Sequence, residues 1–309
     1  MSTSRKRVLL IVLGIAAGLS AAELALRISG SLYREARRSK VFEASSGQRD
    51  LNILCLGDSC TFGLGAPKGS SCPDHLQRLF DAVYPGRVRV INQGVPGANS
   101  SMILRNLEKN IERYRPQVVL LLVGLNDASN LRQGNQYLFM HGPRAFLLKA
   151  DAVLSCSRVY KFLKHFTHLG GHGRTWDKEG RFLLRGTLSE ADAGIFRQAL
   201  AYNLQEILRV CRERKILLVL QTYDQEDWPS AVAVEFARSR NIPCIDHRGL
   251  FKGEADKSRF FAKDGHPNAE GYLRAARNIQ KTLFPILFPR GTRFSGAIRA
   301  GTRAGAPGG

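Results

Sequence analysis

Short apolar runs alternate with longer amphipathic segments through most of the chain. Each run is rich in branched residues and ends at a polar residue or glycine, as expected of strands buried on both faces. The runs predict five strands: Leu51–Leu56, Val88–Asn92, Val118–Val123, Ile216–Gln221 and Ile242–Ile245. Apolar residues at helical spacing predict the helices Pro73–Val83, Met102–Tyr114, Glu190–Arg214 and Asn268–Leu283, the last ending before Pro285.

This alternation of strands and helices predicts the fold class. Strand–helix–strand units place parallel strands in one sheet through right-handed crossovers, with helices on both faces. We therefore predict an α/β fold, a three-layer α/β/α sandwich with a central parallel sheet, for residues 50–288. Residues 130–189 break the rhythm and are interpreted as an insertion near the sheet edge where strands open into a crevice. The insertion either shapes the substrate pocket or is a structural excursion.

The N-terminus has a basic start followed by an apolar stretch. Basic residues 5–7 precede a segment that is uncharged from Val8 to Ala22, and Glu23 interrupts an apolar pattern that continues to Arg27. A basic region followed by an apolar core is typical of a signal peptide or a signal anchor. Residues 1–28 are therefore predicted to form a transmembrane helix or signal anchor.

Cleavage and orientation stay open at this point. Small residues at 20–22 fit a cleavage site, which would release a secreted protein, although the apolar pattern continues past it. Basic residues also follow the segment, and by the positive-inside rule they would keep the domain in the cytoplasm. The basic start followed at once by an apolar core favours export, so we expect a single-pass anchor facing the periplasm or cell exterior. Residues 29–49 are predicted to be a linker and residues 289–309 a disordered basic tail.

The composition adds a strong positive charge. The chain has 309 residues and a formal net charge of +20 at pH 7. This length is sufficient for one α/β domain with appendages. The sequence contains no zinc-finger, RRM or helix-turn-helix pattern, so no nucleic-acid partner is expected. A basic surface would instead attract anionic lipid or an acidic polysaccharide.

No metal or cofactor is predicted. The histidines His165, His168 and His172 have a metal-like spacing but lie in a basic stretch without a set of acidic or cysteine ligands. No CxxC motif occurs, and the glycines at 63 and 65 are not followed by the Lys-Ser/Thr pair of a Walker loop. Histidine and aspartate at the end of the last predicted strand, His247 and Asp246, lack a serine motif and are interpreted as structural.

Six cysteines occur along the chain. Cys55, Cys211 and Cys244 fall in apolar runs and are predicted to be small core residues. Cys60 and Cys72 bracket the glycine-rich loop, and in an oxidising compartment they are candidates for a local disulfide.

A polar motif follows the first predicted strand. Gly57-Asp58-Ser59 comes directly after the apolar run and is followed by a glycine-rich stretch at residues 61–65. A sharp turn after a buried strand lifts a hydroxyl out of the sheet and directs neighbouring N–H groups at one point. Ser59 is therefore the candidate nucleophile, whereas Asp58 is expected to cap the next turn or hold the loop.

Two further polar motifs follow the second and third predicted strands. Gly94 ends the Asn-Gln-Gly motif of residues 92–94, where a glycine lets the backbone approach a substrate and offer its N–H. Asn126 lies in the Gly-Leu-Asn-Asp motif of residues 124–127, and its amide can donate to an oxyanion without carrying charge. Asp127 is expected to serve the loop fold.

The candidate base is His266, in the Asp-Gly-His-Pro-Asn motif of residues 264–268. Histidine is the usual base in hydrolytic acyl transfer. Pro267 suits the first position of the last predicted helix. Asp264 precedes His266 by two residues, and alternate residues of an extended segment project to the same side, so Asp264 is the candidate partner of His266 Nδ1. If Asp264 points away, the site works as a dyad or with another acceptor.

Together the four motifs resemble the signature of the SGNH (GDSL-type) hydrolase family, over residues 50–285. The resemblance implies a flavodoxin-like strand order. It also implies an oxyanion hole formed by the Ser59 N–H, the Gly94 N–H and the Asn126 side chain.

The chain departs from the commonest family pattern at the acid. That pattern has an aspartate three residues before the histidine, where this chain has Lys263. The catalytic set predicted for this chain is Ser59, His266 and, two residues before the histidine, Asp264.

We predict a serine esterase acting on a small-molecule or polysaccharide ester. In this hypothesis Ser59 attacks the ester, His266 moves the proton and water clears the acyl-enzyme. The same residues could instead pass the acyl group to or from a cell-surface polysaccharide, as some relatives do, and the sequence leaves these two open. A third hypothesis, a membrane-tethered binding module without activity, is disfavoured by the intact Ser, Gly, Asn and His.

Overall fold

The computed structural model describes residues 3–37, 50–128, 153–154, 156–169, 174–176, 182–184 and 190–288, and the single residues 146 and 150. The predicted basic tail, most of the predicted linker and much of the predicted insertion lie outside these residues.

Strands and helices follow one another along the described residues. The strands are β1 (Leu51–Gly57), β2 (Val88–Gly94), β3 (Val118–Leu122), β4 (Arg174–Trp176), β5 (Phe182–Leu184), β6 (Leu217–Gln221) and β7 (Cys244–Ile245). The helices are α1 (Thr3–Arg37), α2 (Ser59–Phe62), α3 (Cys72–Asp81), α4 (Ser100–Tyr114), α5 (Arg158–Leu169), α6 (Glu190–Glu213), α7 (Trp228–Arg240) and α8 (Ala269–Leu287). A 3₁₀ turn at Lys257–Phe260 precedes α8.

The central sheet has five strands in the order β2-β1-β3-β6-β7, all parallel. Strands β4 and β5 pair separately as an antiparallel pair within the predicted insertion. Counted in chain order within the central sheet, the strand order is the flavodoxin-like one that the family resemblance implied. The predicted α/β fold with a central parallel sheet is therefore confirmed.

The sheet is buried on both faces because alternate strand residues point to opposite sides. Leu54 and Leu56 of β1 belong to the apolar cluster that includes α4, α6 and α7. Ile53 and Cys55 belong to the cluster on the other face, with α3 and α8. This two-sided burial explains why the strands stand out in the sequence as continuous apolar runs.

Parallel pairing brings the carboxyl ends of neighbouring strands to one edge of the sheet. Gly57, the last residue of β1, is the register partner of Gly94 in β2 and of Leu122 in β3. The polar motifs that follow these three strands therefore meet at the same edge, which is where ligands bind in open α/β sheets.

Helices α8 and α7 differ from the sequence prediction. Helix α8 was expected to end before Pro285 but continues through it to Leu287. Proline removes a backbone hydrogen bond, but the last turn is held by aromatic packing, with the Phe288 and Tyr84 ring centroids 4.4 Å apart. Helix α7 was not predicted, because its apolar residues are not confined to one face.

Helix α1 also extends beyond its predicted end. Residues 29–37, expected to belong to the linker, continue the helix to Arg37. The stretch contains no proline, and its leucine, alanine, arginine and glutamate residues favour helix.

None of the six cysteines, all of which the structure describes, forms a disulfide. The disulfide considered between Cys60 and Cys72 is therefore not formed. Burial raises the pKa of the Cys72 thiol to about 12, which keeps it protonated and unreactive. As predicted, Cys55 and Cys211 are buried, and Cys244 packs against the core.

Helix α1 is long and apolar enough to span a membrane, the only such helix in the described part of the chain. An 18-residue window within Arg5–Tyr33 has a mean hydropathy of 2.2. The large apolar side chains are exposed, with Leu10 at 67%. An exposed apolar helix at this position is expected of either a signal sequence or an anchor.

Candidate active site

Ser59 stands at a sharp turn between β1 and α2. Asp58 caps α2 by accepting a hydrogen bond from the Cys60 N–H at 2.9 Å, which agrees with its expected role, and Ser59 is the first residue of the helix. A Cβ on Gly57 would lie 2.1 Å from Thr61 Oγ1, so only glycine fits this turn. The short helix therefore presents the half-buried Ser59 at the carboxyl edge of the sheet.

His266 lies on a short loop before α8. An isolated antiparallel bridge joins Phe261 to Pro267, and the Ala262 N–H donates to the His266 carbonyl oxygen at 2.8 Å. Gly265 turns the chain between them with a φ of +82°, in the left-handed region that favours glycine. The histidine thus lies on a tight turn, not in the extended segment expected from the sequence.

The start of α8 also differs from the prediction. Asn268 is the cap, and its side chain accepts hydrogen bonds from the N–H groups of Glu270 and Gly271 at 3.0 and 3.1 Å. Pro267 therefore lies before the cap and not at the first helical position. Its place is set by the bridge to Phe261, which fixes the loop that carries the histidine.

The glycine-rich stretch after α2 contacts this loop directly. Gly65 has a φ of +87°, and a Cβ there would lie 2.8 Å from His266 Cβ and 2.7 Å from the Pro267 carbonyl oxygen. The Tyr272 hydroxyl donates to the Leu64 carbonyl oxygen at 2.7 Å. The serine loop and the histidine loop are therefore packed against each other.

The structure brings the predicted nucleophile and base into contact. His266 Nε2 lies 2.9 Å from Ser59 Oγ. For the hydroxyl to donate to Nε2, the proton of a neutral imidazole must reside on Nδ1. The His266 side chain is only 11% exposed, so its ring is held by its surroundings.

Asp264 lies close to the other ring nitrogen. Its Oδ2 is 3.1 Å from His266 Nδ1, and its Oδ1 accepts a hydrogen bond from the His266 backbone N–H at 3.2 Å. Nδ1 is buried and forms no hydrogen bond within the described residues. The carboxylate is therefore within ion-pair range of the ring, but without the alignment that a hydrogen bond requires. It is 55% exposed.

Asn126 is held in place by a buried carboxylate. Its Nδ2 donates to Asp58 Oδ2 at 3.2 Å, and the Tyr223 hydroxyl donates to the same oxygen at 2.8 Å. Burial raises the pKa of Asp58, and the hydrogen bonds from the Cys60 N–H and from Tyr223 oppose the rise. This network fixes the Asn126 amide beside the residue that precedes Ser59.

A second buried network supports the loop of residues 124–127, which carries Asn126. Asp127 accepts hydrogen bonds from the Ser100 N–H at 3.0 Å and from the Ser100 hydroxyl, while Asn203 Nδ2 donates to Ser100 Oγ at 2.7 Å. Burial raises the pKa of Asp127 to about 7, against the opposing effect of the Ser100 hydrogen bonds. This agrees with the expectation that Asp127 serves the loop fold, since it ties the loop to α4 and α6.

The Gly94 backbone lies against α2. A Cβ at Gly94 would be 2.2 Å from the Phe62 nitrogen, so only glycine allows this approach. The Gly94 N–H donates to Asn92 Oδ1 at 2.9 Å, and Asn92 Nδ2 lies 3.3 Å from Ser71 Oγ. An oxyanion at the Gly94 N–H would therefore have to share or replace the hydrogen bond to Asn92.

Sequence reasoning missed three residues of this site. Tyr223 follows β6 at the carboxyl edge of the sheet, and its position after a buried strand is a signal that could have selected it. Asn92 lies in the Asn-Gln-Gly motif of residues 92–94, in which only Gly94 was assigned a role. Gly65 was noted only as part of the glycine-rich stretch after the serine, and a Walker loop was excluded there, whereas its contact with the histidine loop is what requires a glycine.

No group of three or more His, Cys, Asp or Glu side chains is placed to hold a metal ion among the residues that the structure describes. The side chains of His165, His168 and His172, which the sequence disfavoured as ligands, lie outside those residues.

The chain matches a known protein family over most of its length. The model of the GDSL-like lipase/acylhydrolase family matches residues 55–274. The matched range contains Ser59, Gly94, Asn126 and His266. It covers well over half of the chain.

Similar proteins include two of known structure. The lipase/acylhydrolase from Enterococcus faecalis is 19% identical, with a TM-score of 0.48, over 76% of this chain and 95% of that one. Axe2, an acetylxylan esterase from Geobacillus stearothermophilus, is 15% identical, with a TM-score of 0.48, over 80% and 96%. An uncharacterised protein of Mycoplasma pneumoniae is 33% identical over 97 residues, which are 30% of this chain but only 11% of that protein.

Proposed function

Because the chain belongs to the GDSL-like lipase/acylhydrolase family, we propose that it is a serine esterase that cleaves carboxylic esters through an acyl-enzyme. The observation that carries the proposal is the 2.9 Å contact between Ser59 Oγ and His266 Nε2. The two residues are 207 positions apart, so the contact is produced by the fold as a whole. A hydroxyl beside an imidazole is what nucleophilic acyl transfer requires.

In the acylation step, Ser59 Oγ attacks the carbonyl carbon of the ester while its proton passes to His266 Nε2. Charge then develops on the imidazole, and we assign Asp264 the role of stabilising and orienting it through Nδ1. The tetrahedral intermediate collapses, the C–O bond to the alcohol breaks, and His266 gives its proton to the leaving alkoxide.

Three donors are assigned to the oxyanion of that intermediate. The Ser59 N–H lies in the first turn of α2, where a helix leaves N–H groups without intrahelical partners. Asn126 Nδ2 has two N–H bonds, so one can donate to Asp58 and the other to the oxyanion. The third donor is the Gly94 N–H. Donors fixed in advance around a developing negative charge are usually the largest single contribution to acyl-transfer catalysis.

In the deacylation step, His266 Nε2 takes a proton from water as the water oxygen attacks the acyl-enzyme. The acyl–Oγ bond breaks, Ser59 recovers its proton and the acid is released. A sugar hydroxyl in place of water would give acyl transfer by the same steps.

The test is hydrolysis of p-nitrophenyl acetate by the purified full chain. Ser59→Ala and His266→Ala are each expected to lower kcat by about a thousandfold or more, since serine and base act as a unit. Ser70→Ala is the matched control, because it removes a hydroxyl from the neighbouring loop and should leave the rate unchanged. Equal rates for the wild type and Ser59→Ala would refute the proposal.

The acyl acceptor, water or a sugar hydroxyl, is tested in the same assay. Supplying an oligosaccharide should not be required for release of acetate. Product formed only when the sugar is present would instead support acyl transfer to a polysaccharide.

We further propose that α1 anchors the esterase to a membrane, with the domain on the periplasmic or exterior side. The support is its apolar, exposed surface and the basic residues that precede it. A reporter that is active only in the periplasm, fused after residue 45, is expected to be active. An inactive but expressed reporter would place the domain in the cytoplasm.

A further inference from the structure

Helix α1 contacts the insertion through a carboxylate that interrupts its apolar sequence. Glu23 accepts hydrogen bonds from the Ser157 hydroxyl at 2.9 Å, the Arg158 N–H at 2.6 Å and the Val159 N–H at 3.0 Å. The last two N–H groups belong to the first turn of α5, where they have no intrahelical acceptor. Glu23 therefore caps α5 from a position more than a hundred residues earlier in the chain.

The contact continues one turn further along α1. Arg27 forms an ion pair with Glu23 at 2.7 Å and donates to the Cys156 carbonyl oxygen at 3.0 Å. Apolar side chains from both segments line the cleft beside these polar contacts: Leu19 and Leu24 from α1, and Val153, Leu154, Val159 and Leu163 from the insertion. The two segments thus share a seam with a polar centre and apolar flanks.

The position of Glu23 along α1 sets the depth of this seam. If Val8 marks one boundary of the hydrocarbon, the helical rise places Glu23 about 22 Å and Arg27 about 28 Å along the axis. The hydrocarbon core is about 30 Å thick, so Arg27 reaches the far boundary and Glu23 lies some 8 Å inside it. An interfacial amphipathic helix buries its apolar face about 5–10 Å into the bilayer, which is the same depth.

The insertion side of the seam has the composition of such a helix. Val153, Leu154, Phe162 and Leu163 are exposed to between 50% and 71%. In the sequence, apolar residues of α5 recur at helical spacing, and basic residues lie between them. Exposed apolar area with basic residues beside it matches the acyl-chain and headgroup boundary of an anionic bilayer.

We propose that α5 and the residues just before it form a second membrane-contacting element, which lies on the bilayer and is held against α1 by Glu23. Lipid covers the exposed apolar side chains of this element. The carboxylate at position 23 is tolerated at this depth because the first turn of α5 donates hydrogen bonds to Oε2 and the Arg27 guanidinium, 2.7 Å from Oε1, offsets its charge.

The contact between α1 and α5 also bears on signal cleavage of the N-terminal segment. Contact residues lie on both sides of the small-residue site at 20–22, with Leu19 before it and Glu23 after it. Cleavage there would remove the membrane segment that places α5 on the lipid. The proposal therefore requires α1 to be retained, and it rests on the anchoring proposed above.

The experiment uses a native thiol. Cys156 lies in the seam and is the only one of the six cysteines that is exposed, the others being buried or partly buried. The full chain, labelled at Cys156 with a fluorescent maleimide, is reconstituted in phosphatidylcholine/phosphatidylglycerol vesicles containing lipid spin-labelled near the headgroup. Fluorescence quenching of about twofold or more is expected, as for a probe at the interface. A Cys156→Ser chain measures background labelling.

Variants separate the parts of the proposal. Glu23→Gln is expected to lower the quenching, whereas Glu35→Gln, which changes an exposed carboxylate on the same helix, should not. Leu163→Asn should also lower it, by removing apolar area without touching Glu23. Esterase activity in Glu23→Gln should equal that of the wild type, which shows that the domain is folded.

Three results would overturn the proposal. An unquenched probe in an intact chain shows that lipid does not cover the insertion and leaves the anchoring untouched. Quenching by a second, spin-labelled copy of the protein instead of by lipid shows a protein partner. Loss of residues 1–22 from the membrane-extracted chain, seen by intact mass, overturns both the anchoring and this proposal.

Discussion

The charge on Asp264 faces solvent as well as the imidazole, since its side chain is 55% exposed. Exposed charges are screened, so this acid should contribute less than a buried one. We predict that Asp264→Asn lowers kcat on p-nitrophenyl acetate by about 10- to 100-fold. The asparagine oxygen can still accept from the His266 N–H, so the change isolates the charge from the loop geometry. A rate within twofold of the wild type would show that the site works as a Ser–His dyad.

We infer that Tyr223 acts on the proposed reaction through other groups. Its hydroxyl and the Asn126 amide share one oxygen of Asp58, so loss of the hydroxyl leaves the carboxylate and the amide less firmly placed. We predict that Tyr223→Phe lowers kcat about tenfold with little change in KM, because an oxyanion donor acts in the transition state. Tyr84→Phe, which removes a hydroxyl near the opposite edge of the sheet, should be neutral. An equal rise in KM would contradict this assignment.

Sequence reasoning found the residues that lie in local motifs and missed those defined by distant partners. Ser59 and His266 stand out because each lies in a short polar motif, Ser59 directly after an apolar run and His266 directly before an amphipathic segment. Tyr223 follows a buried strand, as the motif residues do, but its pairing with Asp58 across 165 positions is not visible in any local pattern. The alignment of Asp264 was also beyond the sequence, since it depends on the turn at Gly265.

At the scale of elements, the packing of the glycine-rich loop on the histidine loop can be tested with two matched glycines. Gly65 and Gly69 both have positive φ, at +87° and +81°, so alanine is strained at either position by about 1 kcal/mol. Only Gly65 has neighbours, and its Cβ would meet His266, whereas nothing lies within 4 Å of a Cβ on Gly69. We predict that Gly69→Ala loses only the stability due to its φ and keeps its activity. Gly65→Ala should lose more stability, because its Cβ would lie 2.7 Å from the Pro267 carbonyl oxygen, and it should also lose most of its activity. Equal activities would show that the loop contact does not position the base.

The elements that the sequence revealed are those with a simple burial pattern. Strands buried on both faces gave continuous apolar runs, and α4 has a clear apolar stripe. Helix α7 has no such stripe, and α8 continues past its proline through aromatic contacts with a distant part of the chain. Both outcomes depend on tertiary packing, which a short stretch of sequence does not reveal.

Across the whole molecule, His247 connects three parts of the fold. Its backbone N–H donates to Thr222 Oγ1 at 2.7 Å, Asn278 donates to its Nδ1 at 3.0 Å, and its Nε2 lies 3.4 Å from Gln221 Oε1. These partners assign the neutral tautomer with the proton on Nε2. Burial lowers the pKa of His247 to about 4. The histidine is therefore structural, as interpreted from the sequence.

This burial predicts a pH dependence of stability. Below pH 6.5 the unfolded chain binds a proton at His247 that the folded chain does not accept until about pH 4. The free energy of unfolding therefore falls as pH decreases from 6.5 to 4, by up to about 3 kcal/mol from this group. His247→Gln, which does not titrate, should remove that part of the slope in urea denaturation. The difference in the free energy of unfolding between His247→Gln and the wild type at pH 8 measures the effect of the substitution itself. If this free energy depends on pH equally in the two proteins, the prediction is wrong.

The separation of Ser59 and His266 by 207 positions has a consequence for synthesis. In a growing polypeptide the serine is made first, and the imidazole proposed to activate it follows only 207 residues later. Domains are made N-terminal part first, so on the proposed anchoring α1 reaches the bilayer while the hydroxyl is still inert. Truncated products of this gene would then be unable to hydrolyse the esters of the cell that makes them.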